Sequence, residues 1–126
     1  MKKKNLLLID QDAFLAGIYG SRLSASGWNV FATESIEQAN QLIKKRKIDV
    51  VLIDPETIEG ALTFFQELRA NPKTQDTLLV VLTELGNQKE ITEAYQAGAD
   101  AYLLKGHFVP SEVSKKLSIL LEQQSL

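Results

Sequence analysis

Two carboxylates, a hydroxyl and an ammonium each come directly after a short apolar run of the sequence. They are Asp10, Asp54, Thr83 and Lys105. Clustered carboxylates repel one another and attract a hard divalent cation, and Mg²⁺ is the usual choice where a phosphate completes the shell. An aspartate beside such a cation can attack phosphorus, and a hydroxyl and an ammonium can hold the phosphoryl oxygens. These residue types therefore predict phosphoryl chemistry if the fold brings them together.

The apolar runs are predicted to be the strands of a parallel sheet. They cover residues 6–9, 50–53, 78–82 and 102–104, with a weaker run at 28–32. The first four are continuous rather than alternating, as expected for strands that are buried on both faces. Five strands alternating with five helical segments indicate an α/β fold with helices on both faces of the sheet. Because ligands of such sheets lie beyond the carboxyl ends of the strands, the four polar residues are expected to converge there.

Ordinary capping signals mark the ends of the predicted helices. Ser35 is expected to cap the second helix with Gln38 as its capping-box partner, Gly98 to end the fourth helix, and Pro110 to lie in the first turn of the fifth. The first helix is predicted to bury one apolar stripe, formed by Phe14, Leu15, Ile18, Tyr19 and Leu23. These signals place the four polar residues in the connections between strands and helices.

Composition excludes several classes of function. The chain has 126 residues, with 14 basic and 16 acidic side chains and no cysteine. A disulfide framework, a zinc–thiolate site and a thiol nucleophile are therefore excluded. The net charge of −2 argues against direct binding of nucleic acid, and no segment reaches the roughly 18 apolar residues that span a membrane. We expect a single cytoplasmic domain over residues 1–126, in which the lone His107 is a solvated loop residue.

The residues at these strand ends, and the segments around them, resemble those of the response-regulator receiver domains of two-component signalling. Four segments carry the resemblance: LLLIDQD (6–12), IDVVLIDPE (48–56), LLVVLTE (78–84) and AGADAYLLKG (97–106). The last is the most specific of them, and the ordered set is more specific than any single piece. The resemblance covers a core from about residue 4 to residue 121. It implies a flavodoxin-like (βα)5 fold whose five parallel strands have the order 2-1-3-4-5.

The resemblance also implies a role for each site residue. Asp54 matches the phosphoacceptor, Asp10 a member of the acidic pair that positions Mg²⁺, and Lys105 the lysine that bridges to the phosphoryl group. Thr83 matches the hydroxyl residue that senses the acyl phosphate, and Tyr102 matches the aromatic residue whose rotamer follows it. Such a domain takes its phosphoryl group from a histidine kinase or phosphotransfer protein. It is not an enzyme beyond its own phosphorylation and dephosphorylation.

Partner binding is expected to change on one face of the domain. The resemblance implies that this face is formed by the fourth helix, the fifth strand and the fifth helix, and that it binds an output protein or domain. A homodimer through the same face is a further expectation.

Several positions depart from the family pattern. Gln11 stands where a second acidic metal ligand is usual, so Mg²⁺ binding is expected to be weak, although an amide oxygen can still coordinate. Glu56 takes the position whose backbone carbonyl reaches the metal, and the connection 54–60 is about two residues short. Glu84 follows Thr83 where a small residue is typical.

Three other functions stay open at this point. A degenerate receiver would keep the fold and act through protein contacts without phosphorylation. A small-molecule phosphatase working through an aspartyl phosphate would use Glu56 as its general acid, but short connections leave little room for a substrate pocket. A flavin binder would share the fold class, but the carboxylates of DQDAF would repel the flavin phosphate.

Overall fold

A computed structural model describes residues 2–84 and 86–124 of the chain. Strands and helices alternate in the order β1 Asn5–Ile9, α1 Ala13–Ala25, β2 Asn29–Thr33, α2 Ile36–Lys45, β3 Val50–Ile53, α3 Ala61–Ala70, β4 Leu78–Thr83, α4 Gln88–Ala97, β5 Ala101–Leu104 and α5 Pro110–Gln124. A 3₁₀ turn, Lys105–His107, connects β5 to α5. No helix in the described part of the chain is long and apolar enough to cross a bilayer.

The five strands form one parallel sheet in the order β2-β1-β3-β4-β5. Helices α1 and α5 cover one face, and α2, α3 and α4 cover the other, so an apolar core lies on each side of the sheet. The predicted α/β class and the predicted strand order are confirmed. The carboxyl ends of β1 and β3 lie side by side at the middle of the sheet.

The inner strands and the edge strand β5 differ in burial. Strands β3 and β4 are buried along their whole length, and β1 is buried from Leu6 onwards. In β5 burial alternates: Ala101 and Leu103 are buried, whereas Tyr102 and Leu104 are half-buried. The prediction that the fifth run is buried on both faces is therefore wrong, because β5 is an edge strand.

Helix α1 buries only part of the predicted stripe. Tyr19 and Leu23 are buried as predicted, whereas Phe14 is 76% exposed and Ile18 is 42% exposed. The helix also packs through Ala16 and Gly20, which were not predicted. A Cβ on Gly20 would lie 3.7 Å from a side-chain carbon of Val30. The small residues Ala16 and Gly20 therefore face the sheet, and the larger Phe14 and Ile18 face outward.

Most of the predicted capping is confirmed. The Ser35 side chain accepts a hydrogen bond from the Gln38 backbone N–H at 3.2 Å, Pro110 begins α5, and Gly98 ends α4 with a φ of 120°. The capping box is not closed as expected, because the Gln38 side chain accepts from the Glu34 backbone N–H at 2.9 Å instead. Both bonds fix the entry to α2.

Candidate functional site

Register places the two aspartates side by side. Ile9 pairs with Ile53 across β1 and β3, so Asp10 and Asp54 are the next residues of neighbouring strands. The backbone N–H of Asp54 donates to the Ile9 carbonyl at 3.1 Å, which continues the ladder one residue beyond the strands. The side chains are almost completely buried, with Asp10 3% exposed and Asp54 4% exposed. Two carboxylates therefore meet at the predicted edge of the sheet.

Lys105 joins the two aspartates. Leu104 pairs with Thr83 at the end of β5, and Lys105 follows as the first residue of the 3₁₀ turn. Its Nζ donates to Oδ2 of Asp10 and to Oδ2 of Asp54, each at 2.9 Å. All three side chains are at most 8% exposed. The structure therefore brings together three of the four residues singled out in the sequence as an ion-paired cluster.

Electrostatics of the cluster favour a charged lysine. Burial by itself lowers the pKa of Lys105, but the hydrogen bonds to Asp54 and Asp10 and the charges of these carboxylates outweigh it, so the pKa is raised above its usual 10.5. By formal charge, one ammonium with two carboxylates leaves one negative charge in excess. A buried excess charge of this kind is expensive without a partner, and it attracts a cation to the cluster.

Thr57 takes part in the site and was missed in the sequence. Its hydroxyl accepts a hydrogen bond from the Gln11 backbone N–H at 3.1 Å. The same oxygen lies 3.2 Å from Asp10 Oδ1 and 3.2 Å from the Asp54 carbonyl, and it can donate to either. Thr57 thereby ties the connection after β1 to the connection after β3. The only signal in the sequence was the unusual length of the segment 54–60.

Backbone amides supply further donors to the carboxylates. Asp10 Oδ1 accepts from the Asp12 N–H at 2.9 Å, and Asp54 Oδ1 accepts from the Glu56 N–H at 3.0 Å. The Asp12 side chain caps α1 by accepting from the Leu15 N–H at 3.1 Å, and it is exposed. The side chain of Glu56 is also exposed. Each oxygen of the two buried carboxylates thus has a donor within the protein.

The remaining predicted residues lie around this cluster. Thr83 is the last residue of β4 and is 1% exposed, whereas Gln11 and Glu84 are exposed. Tyr102 is half-buried on the face of the sheet covered by α3 and α4. Burial raises the pKa of Tyr102, and the nearby carboxylates, Glu90 foremost, raise it further. Thr83 and Tyr102 are neighbours of the cluster along β4 and β5.

The donor set fits a divalent cation in part. Asp10 and Asp54 provide two buried carboxylates with one excess negative charge, and oxygen ligands of this kind suit Mg²⁺. Within residues 2–84 and 86–124, no three acidic or histidine side chains converge as a ready metal cage. Lys105 and Thr57 also use lone pairs that a metal would need. The site can therefore attract a cation by charge, but it offers that cation few ligands.

Comparison with known proteins agrees with this geometry. A family model described as the response regulator receiver domain matches residues 6–117. The phosphate regulon transcriptional regulatory protein PhoB of Pseudomonas aeruginosa is 27% identical over 126 residues, which cover 98% of this chain and 54% of that protein. The protein named "Probable transcriptional regulator ycf27" of Porphyridium aerugineum is 29% identical, with 98% and 50% covered. The chain thus spans about half the length of these two relatives.

Solved structures show the same fold. The crystal structure of a response regulator from Thermotoga maritima superimposes with a TM-score of 0.85 at 21% identity, covering 96% of this chain and 99% of that one. At this identity the likeness concerns the fold alone. The match of the family model over most of the sequence is the stronger finding, and by it this chain belongs to the response regulator receiver domain family.

Proposed function

We propose that this chain is a phosphoacceptor domain that receives a phosphoryl group on Asp54 from the phosphohistidine of a histidine kinase or phosphotransfer protein. Receiver domains act in two-component signalling, interact with kinases and output domains, and are generally non-enzymatic. The observation that carries the proposal is the position of Lys105 Nζ, 2.9 Å from both Asp10 and Asp54. A buried carboxylate beside a cation is suited to attack phosphorus.

The transfer is a displacement at phosphorus. A carboxylate oxygen of Asp54 forms the new P–O bond while the P–N bond of the phosphohistidine breaks. The leaving imidazole nitrogen keeps the electron pair and takes up a proton. Lys105 then exchanges a carboxylate partner for an oxygen of the new phosphoryl group, and the Thr83 hydroxyl donates to another. Both contacts are charge-assisted hydrogen bonds, which are the strong ones.

Receiver domains generally bind Mg²⁺ in their acidic pocket, and in this chain we expect weak binding. Asp10, Asp54, the Glu56 backbone carbonyl and the Gln11 amide oxygen would hold the ion. When bound, the ion neutralises charge on the phosphoryl oxygens. Gln11 contributes no charge, and Thr57 and Lys105 already use lone pairs of the carboxylates, so the affinity is expected to be low.

Phosphorylation is expected to alter a distant face. A phosphoryl group adds about −1.5 to −2 charges and three acceptor oxygens, which draws Thr83 and Lys105 toward it. The space that Thr83 leaves admits the ring of Tyr102, which changes the face formed by α4, β5 and α5. That face would bind an output protein or domain, or a second copy of the chain. We expect this action in the cytoplasm, by a single domain over residues 1–126, without direct contact to nucleic acid.

A second candidate is a degenerate receiver that binds partners without phosphorylation. The specific observation in its favour is the hydroxyl of Thr57, which bonds to Asp10 Oδ1 and to the Gln11 N–H. This contact holds the two connections together without a metal. In that case the cluster of Asp10, Asp54 and Lys105 stabilises the fold and carries out no chemistry.

The test is the intact mass of the protein after incubation with acetyl phosphate and Mg²⁺. We expect one phosphoryl addition in the wild type, none in Asp54→Asn, and a larger fraction modified in Gln11→Asp. Addition only in Gln11→Asp would show that the missing carboxylate disables the natural chain. No addition in any variant, with all of them folded, would contradict the proposal and favour the degenerate receiver.

A further inference from the structure

A groove with an apolar floor lies on the face of the sheet covered by α3 and α4. We call it the α3–α4 groove. Its volume is about 340 Å³, and the connection after β3, the first turn of α3, the middle of α4 and the ring of Tyr102 line it. Its apolar lining comes from Ile58, Ala61, Leu62 and Ala94 in addition to Tyr102. A volume of this size lies near the lower end of the range for ligand sites and suits one or two side chains.

Carboxylates surround this apolar floor. Glu56, Glu90 and Glu93 line the groove. Every ion pair in the described part of the chain involves an aspartate, so none of these three glutamates forms an ion pair there. Glu90 and Glu56 also act on the Tyr102 hydroxyl, whose pKa burial raises first and these charges raise further. The groove therefore has three acidic side chains at its rim that form no ion pair within the described residues.

We propose that the α3–α4 groove binds a segment of a partner protein that inserts one apolar side chain between flanking lysines or arginines. The apolar floor would receive the inserted side chain, and the three carboxylates would pair with the flanking cations. Charge complementarity of this kind gives specificity and a fast encounter. The buried area falls below the roughly 1,000 Å² of a stable interface, so the complex is weak and transient.

This surface opens on the α3 side of α4, and it shares Tyr102 and residues of α4 with the α4–β5–α5 face. It adjoins the phosphoacceptor, because the N–H of Glu56 donates to Asp54 Oδ1 at 3.0 Å while the Glu56 side chain lines the groove. The groove exists in the unphosphorylated chain, so its binding of the partner segment can be tested without phosphorylation of Asp54. The inference therefore stands or fails independently of the proposed function.

The experiment uses a synthetic probe and amide NMR of the ¹⁵N-labelled full chain. The probe is the acetylated and amidated peptide Lys-Lys-Leu-Lys-Lys, and its matched control replaces every lysine by glutamate. We expect the basic peptide to shift the amides of residues 56–63, 90–94 and 102 at concentrations of about 1 mM, and salt to weaken the effect. The acidic peptide should leave these amides unmoved.

Two sets of variants test separately how the charge and the shape of the groove affect peptide binding. Glu90→Gln with Glu93→Gln should weaken binding of the basic peptide by at least about fivefold. The control removes the same charge from two exposed glutamates outside the groove, Glu37→Gln with Glu67→Gln, and should keep the wild-type affinity. Thr63→Trp fills the groove from its exposed rim and should abolish binding.

Thr92→Trp, on the exposed side of α4 and outside the lining of the groove, should bind like the wild type. Every variant is first checked for a wild-type pattern of amide signals away from the groove. Three results would overturn the proposal: shifts confined to another surface, equal shifts with the acidic peptide, or equal losses in the groove variants and their controls. Absence of any shift at about 5 mM peptide would overturn it as well.

Discussion

One cationic side chain with its hydrogen-bond acceptors lies near each end of strand β5, and the two clusters differ in the kind of acceptor. At the amino end Arg69 donates to the carbonyls of Gly98, Gln75 and Thr77 and to Asp100 Oδ2, at 2.7 to 2.9 Å. At the carboxyl end Lys105 donates to two buried carboxylates and to no backbone carbonyl among the bonds of the described residues. Arg69 is hydrogen-bonded mainly to backbone carbonyls, whereas Lys105 is ion-paired only with carboxylates.

The difference separates a structural role from a chemical one. The guanidinium of Arg69 is held in a fixed fork by three carbonyls and one carboxylate, and a Cβ on Gly98 would lie 2.6 Å from its side chain. Four of its five N–H donors are therefore engaged within the protein. Lys105 faces one more negative charge than it can neutralise, and a lysine is a flexible point charge. It can therefore exchange a carboxylate for an incoming phosphoryl oxygen.

The largest expected effect comes from removing the buried ammonium. Lys105→Met leaves two buried carboxylates without their cation, and breaking a buried pair costs about 3–5 kcal/mol. We expect urea unfolding at neutral pH to show a loss of this size. Part of the loss should be recovered as the pH falls, because protonation of one carboxylate removes the repulsion. A loss below about 1 kcal/mol would mean that the cluster is hydrated and weakly coupled.

Removing the cation at the other end is expected to cost less. Arg69→Met leaves three carbonyls without a donor, and Asp100, whose side chain is 36% exposed, can be hydrated. We expect the free energy of unfolding to fall by about 2 kcal/mol and no recovery at acidic pH. Urea unfolding of Lys105→Met and Arg69→Met over the same pH series compares their free energies of unfolding. Recovery of Arg69→Met at low pH would remove the distinction drawn between the clusters.

A smaller effect is expected from the hydroxyl that joins the connections after β1 and β3. Thr57→Val keeps the shape of the side chain but deprives the Gln11 N–H of its acceptor and Asp10 Oδ1 of one of its two donors, at a cost of about 1 kcal/mol. The freed lone pair of Asp10 should also increase the rise in melting temperature that Mg²⁺ produces. Thr57→Ser is the control and should resemble the wild type in both measurements. An unchanged response to Mg²⁺ in Thr57→Val would show that Thr57 does not compete with a metal.

The smallest effect is expected at alkaline pH. Because the folded pKa of Lys105 is raised above 10.5, the stability from its charge is complete below 10.5 and is lost as the pH rises through the folded pKa. Arg69 keeps its proton throughout this range and adds nothing to the decline. Lys105→Arg also stays charged, so its unfolding midpoint should fall less steeply with pH than that of the wild type. Parallel declines would assign the alkaline loss to other groups.

The fold could be predicted from the sequence because two independent signals identify each strand. Each inner strand is a continuous apolar run, and each ends at a polar residue, so both the α/β class and the position of Asp10, Asp54 and Lys105 followed. Register then decides the contacts, since pairing of Ile9 with Ile53 makes the two aspartates neighbours. These features depend on local composition and on a regular ladder.

What could not be predicted depends on close packing and on the path of one loop. Helix α1 is apolar on more than one side, and periodicity could not choose between Phe14 and the small residues Ala16 and Gly20. The role of Thr57 requires the short connection to turn back toward Gln11. The connection ends at Gly60, the residue before α3, which has a φ of 78°. A positive φ at glycine is readily accessible, but the sequence alone does not specify the resulting path.

The central claim is that Asp54 is the residue that carries the phosphoryl group. The most direct test treats the protein after incubation with acetyl phosphate and Mg²⁺ with borohydride, which reduces an acyl phosphate to the alcohol and converts the aspartate to homoserine. Peptide mass spectrometry then locates the change. We predict homoserine at position 54 and unchanged aspartate at positions 10 and 12. Homoserine at position 10 or 12, or at none of the three, would contradict the account.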